Sequence, residues 1–470
     1  MKYLFSFFSI LLLASPAVAG GGTAIDGTQL NLLWCIPFVG MLLSLGIIPA
    51  VAMSFWHKHD RSVAIFWTLA LLCPLAVFFG PELALYASLE TMLHHYIPFV
   101  ILISALYTIT GGVRLESRFS GTPMSNVILL TFGTIIASWV GTTGAAMLLI
   151  RPLLRSIEWR NHNKHVVVFF IFLVANIGGM LTPLGDPPLF LGFLEGVAFF
   201  WTTKFMWDEF LFVSTLVLII FYAVDLYYYK REDGTPPKPS TEMDKHIHIE
   251  GKINFLFLAG VLGGVLLSGY WKPGIDFDIY GVHVELQNVV RDVLLFLMLL
   301  ASFKFTRREV RDHNQFDWMP LKEVATIFIA IFITALPVIA ILQSGENGDL
   351  AWIVKSVTNA SGPIPAMYFW LTGLLSAFLD NAPTYLVFFH VAGGDPAALM
   401  GKYGHVLAAI SSGAVFMGAL SYIGNAPNMM VESIAKRRGI KMPTFFGYMT
   451  WSFTILIPVF LLATLVFFRT

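Results

Sequence analysis

Apolar runs, most of them long enough to cross a lipid bilayer, recur along the whole chain, and they constrain its fold more than any other feature. They lie at roughly 32–55, 61–80, 95–112, 123–150, 165–200, 209–229, 253–270, 289–303, 322–342, 363–391, 405–434 and 443–468. About 20 helical residues span the hydrocarbon core, and in lipid only helices and closed barrels satisfy every backbone polar group. Charged residues are 12% of the 470, about half the share in a soluble domain. The expectation is an all-α polytopic membrane protein of the bacterial inner membrane, in contact with lipid and not an enzyme. The formal net charge is zero, so nothing points to nucleic acid. Cys35 and Cys73 sit inside apolar runs and suit small core residues better than a disulfide framework or thiolate metal site.

The N-terminus reads as a signal peptide over 1–19, with Lys2, an apolar stretch at 3–14 and a small-x-small site at Ala17-Val18-Ala19. An uncut first membrane helix is the alternative, and both place the segment after it outside. Positive loops stay in the cytoplasm. Lys58 and Arg61 therefore mark an inner loop, the acidic stretch 81–94 an outer one, and Arg114 and Arg118 an inner one. Segment 123–150 is basic on both flanks, ending at Arg151, Arg155, Arg160 and Lys164. A simple crossing would leave one flank outside, so a re-entrant hairpin from the cytoplasm is expected. Segment 363–391 must be a second hairpin, entering from outside, because Lys436-Arg437-Arg438 and Lys441 fix the segment after it. The expected layout is N-terminal scaffold helices at 20–122, a first repeat core at 123–229 and a Pro-rich cytoplasmic linker at 230–252. Second scaffold helices follow at 253–343 and a second repeat core at 344–470.

One constant offset of 239 residues aligns the two cores without a gap. Ala137-Ser138-Trp139-Val140 matches Ser376-Ala377-Phe378-Leu379, and Thr182 matches Ser421, since 421 − 182 = 239. Gly185 matches Gly424, Asp186 matches Asn425 and Pro188 matches Pro427. Glycine and proline inside a spanning segment break its helix, and paired breaks in opposed halves mark a transporter binding site. Two broken transmembrane helices in inverted-topology repeats are therefore expected; a plain proline kink is the bland alternative.

Ionisable groups at membrane depth are functional candidates by default. Asp186 lies in the first break; Asp380, beside Asn381, lies at the second hairpin tip. Around them fall Thr142 and Thr143 at the first tip, Thr182, Gly185, Thr384, Ser421, Gly424 and Asn425. The set is rich in oxygen and has no lysine or arginine, which suits a hard cation. Asp186 and Asp380 are the expected ligands of a transported Na⁺. A carboxylate that takes either a proton or Na⁺ gives antiport by competition. A half-helix cap is the structural reading for either acid. Glu195 reads as a residue on an exit path or at the outer mouth, and Asp225 as an interfacial group. Asn176 reads as support for the site or a helix–helix contact, and His94-His95 and His390 as groups able to sense pH. His246 and His248 look like a metal pair but sit in the linker, where solvated side chains are the expectation.

These motifs resemble the ion transporter superfamily, most closely its NhaD-like sodium/proton antiporter branch. Ser376-Ala377-Phe378-Leu379-Asp380-Asn381-Ala382-Pro383 is similar to that branch's second tip. Ala175-Asn176-Ile177-Gly178-Gly179 through Gly185-Asp186 is similar to its first break. Its first tip usually carries Asp-Asn as well, where this chain reads Gly141-Thr142-Thr143-Gly144. The resemblance implies a homodimer, a scaffold domain at the interface and an elevator-like transport domain. Two functions follow as expectations: Na⁺ (or Li⁺) exchanged for protons, or a sodium-coupled carrier of citrate or a dicarboxylate. Na⁺ and H⁺ would be cargo, with no resident cofactor.

Overall fold

The computed structural model describes residues 25–116, 119–232, 234, 248–359 and 362–469. The expected signal peptide and His246 lie outside them. Among the described residues, ten helices are long and apolar enough to cross a membrane, and strands are confined to three two-stranded ribbons. The chain is an all-α polytopic membrane protein.

Helix α1 (Ile36–Phe79) doubles back on itself. Ala52, three residues after Pro49, leaves helical geometry (φ −142°, ψ 60°), and across the two limbs Trp67 Nε1 donates to Ser44 Oγ at 3.0 Å. The sequence suggests a loop around Lys58 and Arg61; the reversal instead falls near Pro49, which cannot continue the backbone ladder. Helix α2 (Pro81–Thr91) runs through a π-helical turn, Met92–Tyr96, into α3 (Ile97–Thr110). Residues 81–94 are thus helical rather than an outer loop. Pro81 starts the helix and Glu82 lies in its first turn, both favoured there.

The first hairpin is α4 (Pro123–Val140) and α5 (Thr142–Ser156), reversing at Gly141. The first broken segment is α6 (Lys164–Leu173), a 3-10 turn Ile177–Leu181 and α7 (Pro187–Leu194). Then come α8 (Trp201–Phe205) and α9 (Trp207–Tyr229). Strand β1 (Arg114–Glu116) pairs with β2 (His248–Glu250) and pins the end of the linker. Helices α10 (Ile253–Tyr270), α11 (Leu286–Phe305), α12 (Arg308–His313), α13 (Met319–Gln343) and α14 (Ala351–Ser356) follow. The second hairpin is α15 (Pro365–Leu379) and α16 (Asn381–Val391), reversing at Asp380. After α17 (Pro396–Met400), the second broken segment is α18 (Gly404–Met417), a 3-10 turn Gly418–Leu420 and α19 (Ala426–Arg437); α20 (Phe445–Phe467) ends the fold.

The repeat extends to backbone angles. Gly141 (φ 83°, ψ 147°) and Asp380 (φ 75°, ψ 142°) make the same left-handed reversal, 239 positions apart. Asp186 (φ −144°, ψ 146°) and Asn425 (φ −152°, ψ 136°) leave their breaks alike. The hairpins are inverted. From the turns, α5 runs alongside α19 towards the arginine-rich end, whereas α16 runs alongside α7 the other way. The broken segments are wrapped in protein, with every residue from Val166 to Thr182 buried, as non-helical backbone at depth requires.

Candidate functional site

The two turns and two breaks meet around one carboxylate. Thr142 opens α5, Asn381 opens α16, and Asp186 and Asn425 immediately precede α7 and α19. Asp186 is buried. Its Oδ1 accepts from Thr142 Oγ1 at 2.9 Å and from Asn425 Nδ2 at 3.0 Å. Its Oδ2 accepts from Asn381 Nδ2. The quartet is two pairs of repeat mates, since 381 − 142 and 425 − 186 are both 239. All three donors are neutral, so the charge on Asp186 has no cationic partner among them. A buried charge is costly unless paired.

Asp380 is half-buried and lines the same cavity as Asp186, together with Thr142, Thr143, Gly185 and Asn425. Its Oδ1 accepts from the Ala382 N–H at 3.2 Å. Phe99, Leu102 and Leu106 of α3 and Val324 and Phe328 of α13 form the facing apolar wall; Phe99 and Phe328 stack at 4.6 Å. The described lining residues include no lysine, arginine or histidine. Asn381 Oδ1 is a buried acceptor without a partner among the described residues. Carboxylate, amide and hydroxyl oxygens of this kind are ligands for a hard cation.

The same cavity is faced by helix N-termini. The first turns of α5, α7 and α19 line it, and Asp380 caps α16 there. Each N-terminus carries roughly half a positive charge. The opposed C-terminal carbonyls are taken up by hydroxyls. Thr182 donates to the Ser138 oxygen and its mate Ser421 to the Ala377 oxygen, and Ser452 donates to the Leu420 oxygen at 2.6 Å. Thr182 and Ser421 therefore clasp hairpin to break and lie outside the cavity lining. Thr384 Oγ1 likewise donates to the Asp380 carbonyl at 2.8 Å. Gly185 and Gly424 let the breaks fold tightly: a Cβ would lie 2.1 Å from the Gly179 oxygen or 2.5 Å from the Gly418 oxygen.

Behind the quartet is an amide relay with one member the sequence reading missed. Asn425 Nδ2 lies 3.3 Å from Asn176 Oδ1. Asn176 Nδ2 donates to Asn428 Oδ1 at 2.7 Å, and Asn428 Nδ2 donates to the Gly418 and Ser421 carbonyls, both at 2.9 Å. Asn428 lies one turn after Asn425, and that spacing was the available signal. Elsewhere, Asp225 is a buried hub rather than an interfacial anchor. Its carboxylate meets Arg160 at 2.6 Å, His165 at 2.8 Å and Asn126 at 2.9 Å.

Inverted repeats of broken helices around a buried carboxylate fit the class of multi-pass membrane transporters. A family described as "Putative citrate transport" matches residues 27–468, and the chain belongs to that family. Uncharacterized transporters of Mycobacterium bovis and Mycobacterium tuberculosis are each 27% identical to it over 352 residues, covering 72% of this chain and 74% of theirs. The match is to the citrate-transport side of the expected resemblance, not specifically to the NhaD-like branch.

Proposed function

We propose that the protein is a cation-coupled carrier of a small polycarboxylate such as citrate, working in the bacterial inner membrane. The observation that carries this reading is that Asp186 and Asp380 line one cavity that is also faced by the helix N-termini. A polycarboxylate is attracted by those N-termini and repelled by the two acids. A cation held by Asp186, Asp380, Asn381 Oδ1 and the Thr143 hydroxyl would remove the repulsion and leave the N-termini in charge of the anion. Coupling then follows from order: the cation binds first, and the carboxylate binds only to the loaded site. In this reading the hairpins and broken segments move together, in an elevator-like step, past the apolar wall of α3 and α13.

A second reading, Na⁺ or Li⁺ exchanged for protons, draws support from the absence of any basic side chain among the described lining residues. Liposomes holding the purified protein and an internal pH dye distinguish the two. Labelled citrate uptake that needs external Na⁺, Li⁺ or K⁺ and is lost in Asp186→Asn supports the carrier. A Na⁺-driven pH change without citrate flux supports the antiporter and overturns it.

A further inference from the structure

A second titratable cluster sits about 13 Å of helix from the site. Glu195 follows the end of α7, nine residues after Asp186 (195 − 186), and His390 lies in the last turn of α16, nine after Asn381 (390 − 381). The two helices thus carry the floor of the cavity at one end and this cluster at the other. Glu195 Oε1 meets His95 Nε2 at 2.9 Å and lies 3.8 Å from His390 Nε2. Gln343 Nε2 contacts His390 Nδ1 at 3.2 Å. His95 belongs to the turn leading into α3, and Gln343 is the last residue of α13. The cluster therefore ties the helices that carry the floor to the helices that carry the apolar wall.

Among the described residues, the charged or titratable groups facing Glu195 are His95, His390, His94 and the Tyr385 hydroxyl. His94 is held apart by a 3.1 Å contact with the His283 carbonyl. Histidine titrates between about pH 5 and 8. Protonating an imidazole beside a carboxylate adds a charge–charge attraction to their contact.

We propose that His95, Glu195 and His390 form a proton-operated latch between the floor and wall helices at the end of the cavity away from the arginine-rich face. With both imidazoles charged, two cations attract one carboxylate and hold the floor and wall helices together. With both neutral, Glu195 keeps its His95 contact but loses the attraction of two cations, and the floor and wall helices part more readily. The latch rests on the carrier reading but not on the identity of the cargo.

The test needs no substrate. A cysteine is placed at Leu106, in the cavity wall, with Cys35→Ser and Cys73→Ser, and its alkylation by a maleimide is timed in liposomes at pH 5.5 and 7.5. The pH effect on the thiol itself is common to all variants and cancels in the comparison. The latch predicts that acid slows alkylation at least about threefold more with Glu195 present than in Glu195→Gln. His95→Gln and His390→Gln should each shrink that difference, which guards against one variant failing to fold. Equal pH ratios in the parent and in whichever of the three variants elute as folded protein overturn the proposal. A latch effect in protein that moves no citrate retires the citrate reading alone.

Discussion

Asn425 donates to the Asp186 carboxylate at 3.0 Å, and the two residues are repeat mates. Symmetry places equivalent positions face to face at the centre of the protein. Identical residues there would give either two carboxylates in contact or no charge at all. Divergence to Asp and Asn yields one charge held by its own counterpart.

An exchange tests this relationship. Asp186→Asn and Asn425→Asp should each lower cation-dependent uptake at least about a hundredfold. The double exchange should recover at least about tenfold over Asp186→Asn, since contacting residues couple strongly. Initial rates in liposomes measure it.

Asp380 occupies a left-handed backbone conformation (φ 75°) that its mate, Gly141, adopts freely. Such strain costs about 1–3 kcal/mol and gathers at functional sites. Asp380→Gly should leave thermal stability in detergent unchanged or raise it by up to about 1 kcal/mol, while cation-dependent uptake is lost. Joint loss of stability and transport would make Asp380 structural.

The breaks should tolerate no added methyl group. Gly185→Ala and Gly424→Ala each drive a Cβ into a carbonyl of the paired glycine and should cost at least about 2 kcal/mol. Gly263→Ala, where nothing lies within 4 Å in the exposed middle of α10, should gain about 0.5–1 kcal/mol. Melting of the three proteins in one detergent checks the contrast.

Asp225→Asn removes the 2.6 Å carboxylate partner of the buried Arg160 guanidinium and leaves it only Glu232, 3.7 Å from Nε, among the ion pairs of the described residues. Breaking a buried pair from one side costs about 3–5 kcal/mol. A clear drop in melting temperature is expected, with the cation affinity of the surviving folded protein unchanged.

Much of this was legible in the sequence because the repeat is gap-free. The 239 offset tied Gly185 to Gly424 and Asp186 to Asn425, and glycine and proline marked both breaks. The reversal at Ala52 was not legible, because alanine carries no turn chemistry and only Pro49 hinted at it. Residues 81–94 misled because two glutamates and the absence of cations read as an outer loop, while nothing in them opposes a helix. Asp225 misled because its partners Asn126, Arg160 and His165 are brought to it by the fold. Glu195, His95 and His390 are likewise brought together only by the fold. The family match weighted citrate over the antiport that the tip motif had suggested.

The most direct measurement is citrate binding to the detergent-solubilised protein by titration calorimetry, with and without Na⁺. The account predicts binding only when Na⁺ is present, and none in Asp186→Asn at any Na⁺ concentration. Citrate binding of equal strength without a cation, or undiminished in Asp186→Asn, would contradict it.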